Sequence, residues 1–451
     1  MAQLPAHVAR MDWSAEQISA EREMRLRRLL ALARARSSWH RDRLTDIDVA
    51  TYSATQLSRL PPMSKDDVLE QFDGIVTDHR LSLSRVEAHL GRLTSDAYLL
   101  DEHHAIASGG SSGRRGVYIY DWDGWANYFL SIARRHAYDR LHDAVLAAAP
   151  AVEGMIAADK PTHGSSAQAQ TFSNPDATIE RIPITLPLAE VVTRLNALNP
   201  TTIRGYPSAL DQLAFEAMAG RLQIAPLRVR CVGEPLLPEV RGRLQQTWQV
   251  PVHSQWIASE AGCVGYSCLL GRGLHLNDDL VIVEPVDERG RPVQSGETSA
   301  KIYITNLLND ALPLIRFEVT DQVTVIGEAC PCGSAHTWIE DVQGRLDDSL
   351  HYPGGITVHP IVLRSPLGRQ PNIAEYQVRQ TPRGIDVLLR LMGPVDLPGV
   401  HAELAAGLMA VGLVDPEITL TPVDGLSRHG SGKLKRVIPL PLSQAEADRR
   451  P

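Results

Sequence analysis

Ser108-Gly109-Gly110-Ser111-Ser112-Gly113-Arg114-Arg115-Gly116 stands immediately before the β-rich run Val117-Tyr118-Ile119-Tyr120. Small residues let backbone N–H groups approach a phosphate closely, and the hydroxyls and guanidinium groups add donors and positive charge, so this loop is suited to polyphosphate. The glycine spacing and Lys-Ser/Thr ending of a Walker loop are missing, and so is the GxGxxG pattern of a dinucleotide turn. Taken alone, the same stretch reads equally well as a flexible glycine-serine connection.

Working outward, strand-like runs such as 117–120 and 227–232 alternate with helical stretches at 188–198 and 207–222, which predicts a layered α/β body from residue 105 onward. The first 90 residues carry apolar residues at helical spacing: an amphipathic helix over 14–36, a break at Pro61-Pro62, and a helix from Lys65 capped by Ser64. Between 273 and 325 the pattern changes to successive β segments, Leu280 to Val283, Ala300 to Thr305 and Gln322 to Val325, as in a smaller twisted β subdomain. After Gly344 the chain has an αβ composition of its own, with a strand-like 385–391 and a helix over 397–411. The expected fold class is therefore α/β: a helical part over 1–104, a core over 105–346 whose β subdomain occupies 265–342, and a small α+β C-terminal domain over 347–451.

The bulk properties bound the partners. The chain has 451 residues, 43% of them hydrophobic, enough for a large core and more than one domain. With 45 basic and 53 acidic residues interspersed and a net charge of −8, no strong field draws it to nucleic acid or to an acidic membrane. No apolar stretch approaches the roughly 20 residues that cross a bilayer. Glu16, Glu21 and Glu23 interrupt the opening where a secretory signal needs an apolar run. Five cysteines are too few and uneven for a disulfide framework, so a cytoplasmic monomer or homodimer is expected.

Four further segments carry chemistry-bearing residues. In Trp256-Ile257-Ala258-Ser259-Glu260-Ala261-Gly262 a carboxylate beside a hydroxyl and small residues can hold a hard cation such as Mg²⁺ against phosphate oxygens, although an acid in the first turn of a helix looks the same. Leu312-Pro313-Leu314-Ile315-Arg316-Phe317-Glu318-Val319-Thr320-Asp321 ends an apolar strand in an acid able to accept from a ribose diol, or simply to form a turn. Gly344-Arg345-Leu346-Asp347-Asp348 lies at the expected boundary, and Ser431-Gly432-Lys433-Leu434-Lys435-Arg436 near the end, where a basic patch is ordinarily a solvated face.

In their order and spacing the five segments resemble the adenylate-forming superfamily, and specifically its phenylacetate-CoA ligase branch. Pro62-Met63-Ser64-Lys65, Gly205-Tyr206-Pro207-Ser208, Gly233-Glu234-Pro235-Leu236, Gly273-Leu274-His275 and Cys330-Pro331-Cys332-Gly333 extend the resemblance over residues 60–440. It implies an enzyme that uses ATP and Mg²⁺ to turn a carboxylic acid, of aromatic type, into an acyl-adenylate and then a CoA thioester. Ser108, Ser111, Ser112 and Gly113 would hold the β- and γ-phosphates, with Arg114 as the basic position; Arg115 stands where many members have Pro. Gly233, Glu234 and Pro235 would lie along the adenine, Trp256 beside the base with Ser259 close by, Glu260 on Mg²⁺ and Asp321 on the ribose hydroxyls. Lys433 matches the mobile lysine that bridges carboxylate and α-phosphate. Asp347 matches the hinge between the two half-reactions, with Arg345 changing partners there. His163, Tyr206 and Ala261 would line the acid pocket. An amine or carrier-protein thiol as acceptor, and a catalytically silent binding module, stay open as alternatives.

Cys268, His275, Cys330 and Cys332 form a separate set: three thiolates and an imidazole suit tetrahedral zinc in a structural role, with small buried cysteines as the plainer explanation. Cys263 is expected to be core packing.

Overall fold

The computed structural model describes residues 2–108, 116–158, 161–172, 176–342, 349–354, 356–358, 360–368, 370, 372–428 and 434–440. The helical prelude begins as its caps dictate. Ser14 and Gln17 form a reciprocal capping box before the helix Ala15–Arg36, and Ser64 with Asp67 does the same before Lys65–Glu70, so orphan N–H groups at each helix N-terminus find partners.

The strands are β1 (His103–Ala107), β2 (Val117–Asp121), β3 (Val152–Ala157), β4 (Thr178–Pro183), β5 (Thr202–Gly205), β6 (Arg228–Val232), β7 (Val252–Ala258), β8 (Gly262–Ser267), β9 (Leu274–Leu276), β10 (Val281–Val286), β11 (Lys301–Asn306) and β12 (Phe317–Val319). There follow β13 (Trp338–Ile339), β14 (Leu350–Tyr352), β15 (Ile356–Val358), β16 (Ile373–Thr381), β17 (Gly384–Leu391), β18 (Glu417–Pro422) and β19 (Val437–Ile438). Eight of them make one sheet in the order β13-β9-β8-β7-β6-β5-β3-β4. From β4 to β7 neighbours run parallel, and from β7 to β13 antiparallel. The chain runs from β3 out to the edge strand β4 and returns past β3 to β5, which reverses the direction of winding. In open α/β sheets such a reversal leaves a crevice at the C-terminal ends of the strands, the usual place for a ligand.

Period-2 alternation gives the parallel strands two different faces. Ile156, Ile203, Val229 and Cys231 pack into a core with the helices Leu188–Leu198, Pro207–Met218 and Pro238–Trp248. The alternate residues look towards the long helix Trp122–His142. A second core joins the prelude, β1, β2 and the strands β10 to β12, and a third consists of residues from Leu350 to Val437 alone.

Two sequence expectations are revised. The helix expected over 207–222 ends at Met218, because Gly220 takes φ +75° and lets the amides of Arg221 and Leu222 turn back onto the Glu216 carbonyl. The strand expected at 322–325 is present only as separate bridges, Thr298 to Thr324 and Val325 to Ile339, since consecutive residues pair with different partners and no ladder builds up.

The long helix is fastened to the sheet by a fully buried ion pair. Arg134 donates to both oxygens of Asp279 at 2.8 and 2.7 Å and also to the Asn277 side chain, and neither charged residue's side chain reaches solvent. Burial opposes ionisation of Asp279, but the Arg134 guanidinium outweighs it and holds the carboxyl below the usual carboxylate range. Removing Arg134 leaves the buried Asp279 charge with only the more distant Arg10, at 3.6 Å, among the described residues, so Arg134→Met is expected to lower unfolding stability in urea by about 3–5 kcal/mol. The contribution of Asp279 is complete above its unfolded pKa of about 3.9 and drains away as pH falls below it towards the depressed folded value, so the wild-type advantage over Asp279→Asn should shrink on acidification.

Candidate active site

The Gly/Ser loop connects β1 to β2. Ser108 closes its base, its hydroxyl accepting from the Gly116 amide at 2.8 Å and its own amide donating to the Gly116 carbonyl at 2.9 Å. Ser111, Ser112, Gly113 and Arg114 lie outside the described residues, as do Arg345, Asp347 and Lys433.

Trp256 is on β7, and the turn from β7 into β8 carries Ser259, Glu260 and Ala261, so Glu260 sits in a hairpin turn and not in the first turn of a helix. Three donors fix that turn: the Tyr128 hydroxyl to the Ala258 carbonyl at 3.1 Å, the Tyr120 hydroxyl to Ser259 at 2.6 Å and the Asn306 amide to Glu260 at 2.7 Å. Burial first, and the nearby Glu260 carboxylate second among the contributions they share, push both phenols upward, so they stay protonated donors. The Trp256 indole N–H donates to Asp321 Oδ2 at 3.1 Å, joining residues 65 apart in sequence. Glu260 and Asp321 are 9% and 6% exposed, acids held close to the crevice with little competing water.

β6 ends in Gly233-Glu234-Pro235. Glu234 Oε2 accepts from the Ser208 amide at 3.1 Å, in the first turn of Pro207–Met218, and Oε1 accepts from the Leu434 amide at 3.0 Å. A carboxylate at a helix N-terminus satisfies an orphan N–H and favours the helix dipole. Its second oxygen ties the C-terminal segment, at the residue after Lys433, to the end of β6. Arg428 adds a second tie, donating to Ser208 Oγ at 3.1 Å and to Glu375 at 2.5 Å. Sequence reasoning placed Glu234 along a nucleotide base and missed this bridging geometry, which no local pattern announces.

A cavity of about 340 Å³ opens beside these strand ends, and His163, Tyr206, Gly233 and Ser259 line it. Ala261 does not: it is packed into the main hydrophobic core, where its methyl group is buried. Arg204, Arg230, His136 and Glu153 also line it and were missed by sequence reasoning. Arg228-Val229-Arg230-Cys231 did carry a signal, a polar and apolar alternation on a strand flanked by helical stretches.

The metal candidates also converge. Cys268 follows β8, His275 is on β9, and Cys330 and Cys332 precede β13; their ligating atoms lie within 4.8 Å of one another. Cys268 and Cys330 sulfurs are 3.4 Å apart, too far for a disulfide, and Cys332 Sγ is 3.2 Å from His275 Nε2. His275 Nδ1 donates to the His336 carbonyl at 3.1 Å, which leaves the Nε2 lone pair directed at the thiols, the tautomer that a metal requires. Gly273, at φ +63°, allows the approach of β9 to β13, because a Cβ there would collide with the Ile339 carbonyl. Cys263 is buried in the main core, as expected.

No protein-family model matches the chain. Phenylacetate-coenzyme A ligase of Thermus thermophilus is 31% identical over 109 residues, 24% of this chain and 24% of that one, so the match spans about a quarter of the relative. Among solved structures, 2-hydroxyisobutyryl-CoA ligase in the postadenylation state, in complex with 2-HIB-AMP, has a TM-score of 0.71 at 18% identity, covering 95% of this chain and 91% of that one. The fold is that of the adenylate-forming acyl-CoA ligases. The same 2-hydroxyisobutyryl-CoA ligase in the thioesterification state, with 2-HIB-AMP and CoA, covers the same shares at 18% identity but a TM-score of 0.59. Since the same ligase is compared twice, the difference lies in how its parts are disposed, and the parts of this chain are disposed more as in the postadenylation structure than as in the thioesterification one. o-Succinylbenzoate coenzyme A synthetase of Bacillus subtilis, in complex with ATP and magnesium ion, shares 16% identity, 74% of this chain and 68% of that one, with a TM-score of 0.51.

Glu234→Gln replaces one acceptor with a donor that faces an N–H group. Exchange of the Leu434 amide hydrogen is expected to quicken by roughly tenfold or more, the worth of one hydrogen bond to a charged acceptor. An unchanged rate would mean that other contacts hold the segment.

Proposed function

We propose that the chain activates a carboxylic acid with ATP as an acyl-adenylate and then transfers the acyl group to CoA, with AMP as the leaving group. The observation that carries this reading is the Glu234 bridge: the residue after Lys433 is bonded to a residue just after β6, beside the cavity, and on the neighbouring β7 Trp256 is bonded to Asp321. This tie supports a reading in which three chemically different groups, an acid for a cation, an acid for a diol and a cation from the tail, act on one nucleotide.

In the proposed division of labour the loop at Ser108, Ser111, Ser112, Gly113 and Arg114 holds the pyrophosphate portion. Gly233, Glu234 and Pro235 flank the base with Trp256, whose indole also orients Asp321 for the ribose hydroxyls. Glu260, in a fixed turn beside Ser259, would hold Mg²⁺, whose charge offsets that of the phosphates when it is bound. Lys433 neutralises the charge that builds as a carboxylate oxygen attacks the α-phosphorus and pyrophosphate departs. A CoA thiolate then attacks the acyl carbon, and the bond to AMP breaks. Arg345 and Asp347 are assigned to the hinge of a C-terminal domain over 347–451, which turns between the two steps on the adenylation core over 105–346. His163 and Tyr206 face the acid; burial pushes the Tyr206 phenol up to about 12, so it offers a proton and not a charge.

Lys433→Ala is expected to lower ATP–pyrophosphate exchange by at least about a hundredfold while leaving CoA thioester formation from supplied acyl-adenylate largely intact. Normal exchange in this variant would overturn the assignment. Trapping with CoA, hydroxylamine and amines identifies the acceptor, and a product formed only with amine would replace CoA in the scheme.

Cys268, His275, Cys330 and Cys332 suit a structural zinc, with His336 as the orienting partner of the imidazole. Protein purified without added metal is expected to contain about one zinc per chain, with Cys332→Ser reducing that content. No bound zinc, and no loss of thermal stability with a chelator, would reject the site.

A further inference from the structure

The sheet face covered by the long helix is unusually charged. Arg228 and Arg230 project from β6, Arg204 from β5 and Glu153 from β3, while the helix supplies Arg135, His136 and Asp139, and Asp143 follows it. Three ion pairs are close: Arg135 to Asp139 at 2.9 Å, Arg228 to Asp143 at 2.6 Å and Arg204 to Glu153 at 2.7 Å. Four guanidinium groups thus face three carboxylates, and Arg230 is the one left over. Among the described residues its carboxylate neighbours are Asp139 at 3.6 Å and Glu153 at 3.9 Å, beyond hydrogen-bonding distance and each engaged more closely elsewhere.

Arg230 is 6% exposed, so little of it meets solvent, and it lines the cavity beside the strand ends. It also stands directly beside Arg204 in the parallel ladder, where like charges oppose each other. Burial above all lowers its pKa, to about 10, which still leaves it charged at neutral pH. His136, pushed far below its usual pKa by burial and then by Arg230 and Arg204, is neutral and supplies no compensation. Its Nε2 is bonded to the Gln255 carboxamide oxygen at 2.8 Å. One Arg204 nitrogen meets only the Met155 thioether, at 3.0 Å, a weak acceptor. A buried cation without a hydrogen-bonded counter-charge is costly, and its retention is explained if a ligand brings the acceptor.

Arg230, Arg204 and Glu153, on the strands, line the same cavity as His163 and as Tyr206 and Ser259, which lie just beyond the C-terminal ends of β5 and β7. Its walls include Phe129 stacked on Phe172 at 4.3 Å. The cavity therefore combines an apolar, aromatic wall with a cationic patch on the strands. We propose that the acid this protein activates carries a second anionic group, a carboxylate or its like, at the end remote from the reacting carboxylate, and that Arg230 receives it with Arg204 alongside. The assignment rests on the adenylation reading above, which puts the reacting carboxylate at the C-terminal ends of the strands, beside Tyr206 and Ser259.

ATP–pyrophosphate exchange with the wild-type protein tests this without a variant, using para-carboxyphenylacetate against para-methylphenylacetate and pimelate against heptanoate. The diacid of at least one pair should be preferred by about tenfold or more in kcat/KM, chiefly through KM, because a buried site built for a polar group rejects an analogue that lacks it. Arg230→Gln should collapse that preference towards parity, and Arg230→Lys should restore part of it. Exchange contains no CoA, so a preference seen there belongs to the acid and not to acceptor phosphates. If the methyl-bearing or monocarboxylic acids serve as well or better, or if Arg230→Gln leaves the ratio unchanged, the proposal fails while adenylation stands. If no carboxylic acid supports exchange, the adenylation reading itself fails, and the proposal with it.

Discussion

The arrangement of the crevice depends on how two backbone amides share the carboxylate of Glu234. One amide, at Ser208, begins a helix and has no partner within it; the other, at Leu434, belongs to a segment that is remote in sequence. A carboxylate offers acceptors in several directions, so one short side chain can satisfy both. The tie is economical because Glu234 directly follows a glycine at the end of β6, where strand geometry has already fixed the backbone. Arg428 reinforces it by joining Ser208 to Glu375 of β16. The C-terminal part, which has its own hydrophobic core, is thus attached here through polar contacts, and polar contacts can be exchanged with little lost burial. Such an attachment would suit the turning proposed for this part.

The two-faced sheet supplies the other half of the design. On one face the aliphatic residues of β3, β5 and β6 pack with three helices, and on the other the same strands hold charges under a helix that is itself tied down by Arg134 and Asp279. An apolar floor would have been easier to stabilise, since burying ion pairs recovers little beyond their desolvation cost. Charges in that position favour a polar ligand over a purely hydrocarbon one, which connects the energetics of the sheet to the choice of substrate. The region from Gly327 to Ala335 shows the opposite situation. It contains small and polar residues with two cysteines and has little apolar surface to bury, so a metal held by Cys268, His275, Cys330 and Cys332 would fasten it where packing cannot.

Much of this was legible in the chain. Caps at Ser14 and Ser64, the periodic helices at 188–198 and 397–410, and the alternating strands around 117–120 and 228–232 are local patterns whose structures follow from their own residues. Trp256 and Asp321 were recognisable separately as chemistry-bearing positions, yet their hydrogen bond joins residues too distant for any periodicity to report. The end of the helix at Met218 and the bridges around Thr324 were misread for related reasons: a single left-handed glycine and a change of pairing partner are decided by neighbours in space.

By itself the sequence determined the α/β class and the order of the main helices and strands, and it singled out as candidates the glycine-serine loop, the acids at Glu260 and Asp321 and the four possible zinc ligands, because composition, alternation and short spacing are local properties. Only the tertiary structure decided that Glu234 binds the C-terminal segment, that Ala261 belongs to the core, and that Arg230 is one buried cation too many. Those facts depend on which carboxylates and amides reach within about 3 Å of one another, the range of a direct hydrogen bond. Contact of that kind is set by the packing of remote segments, which local patterns do not contain.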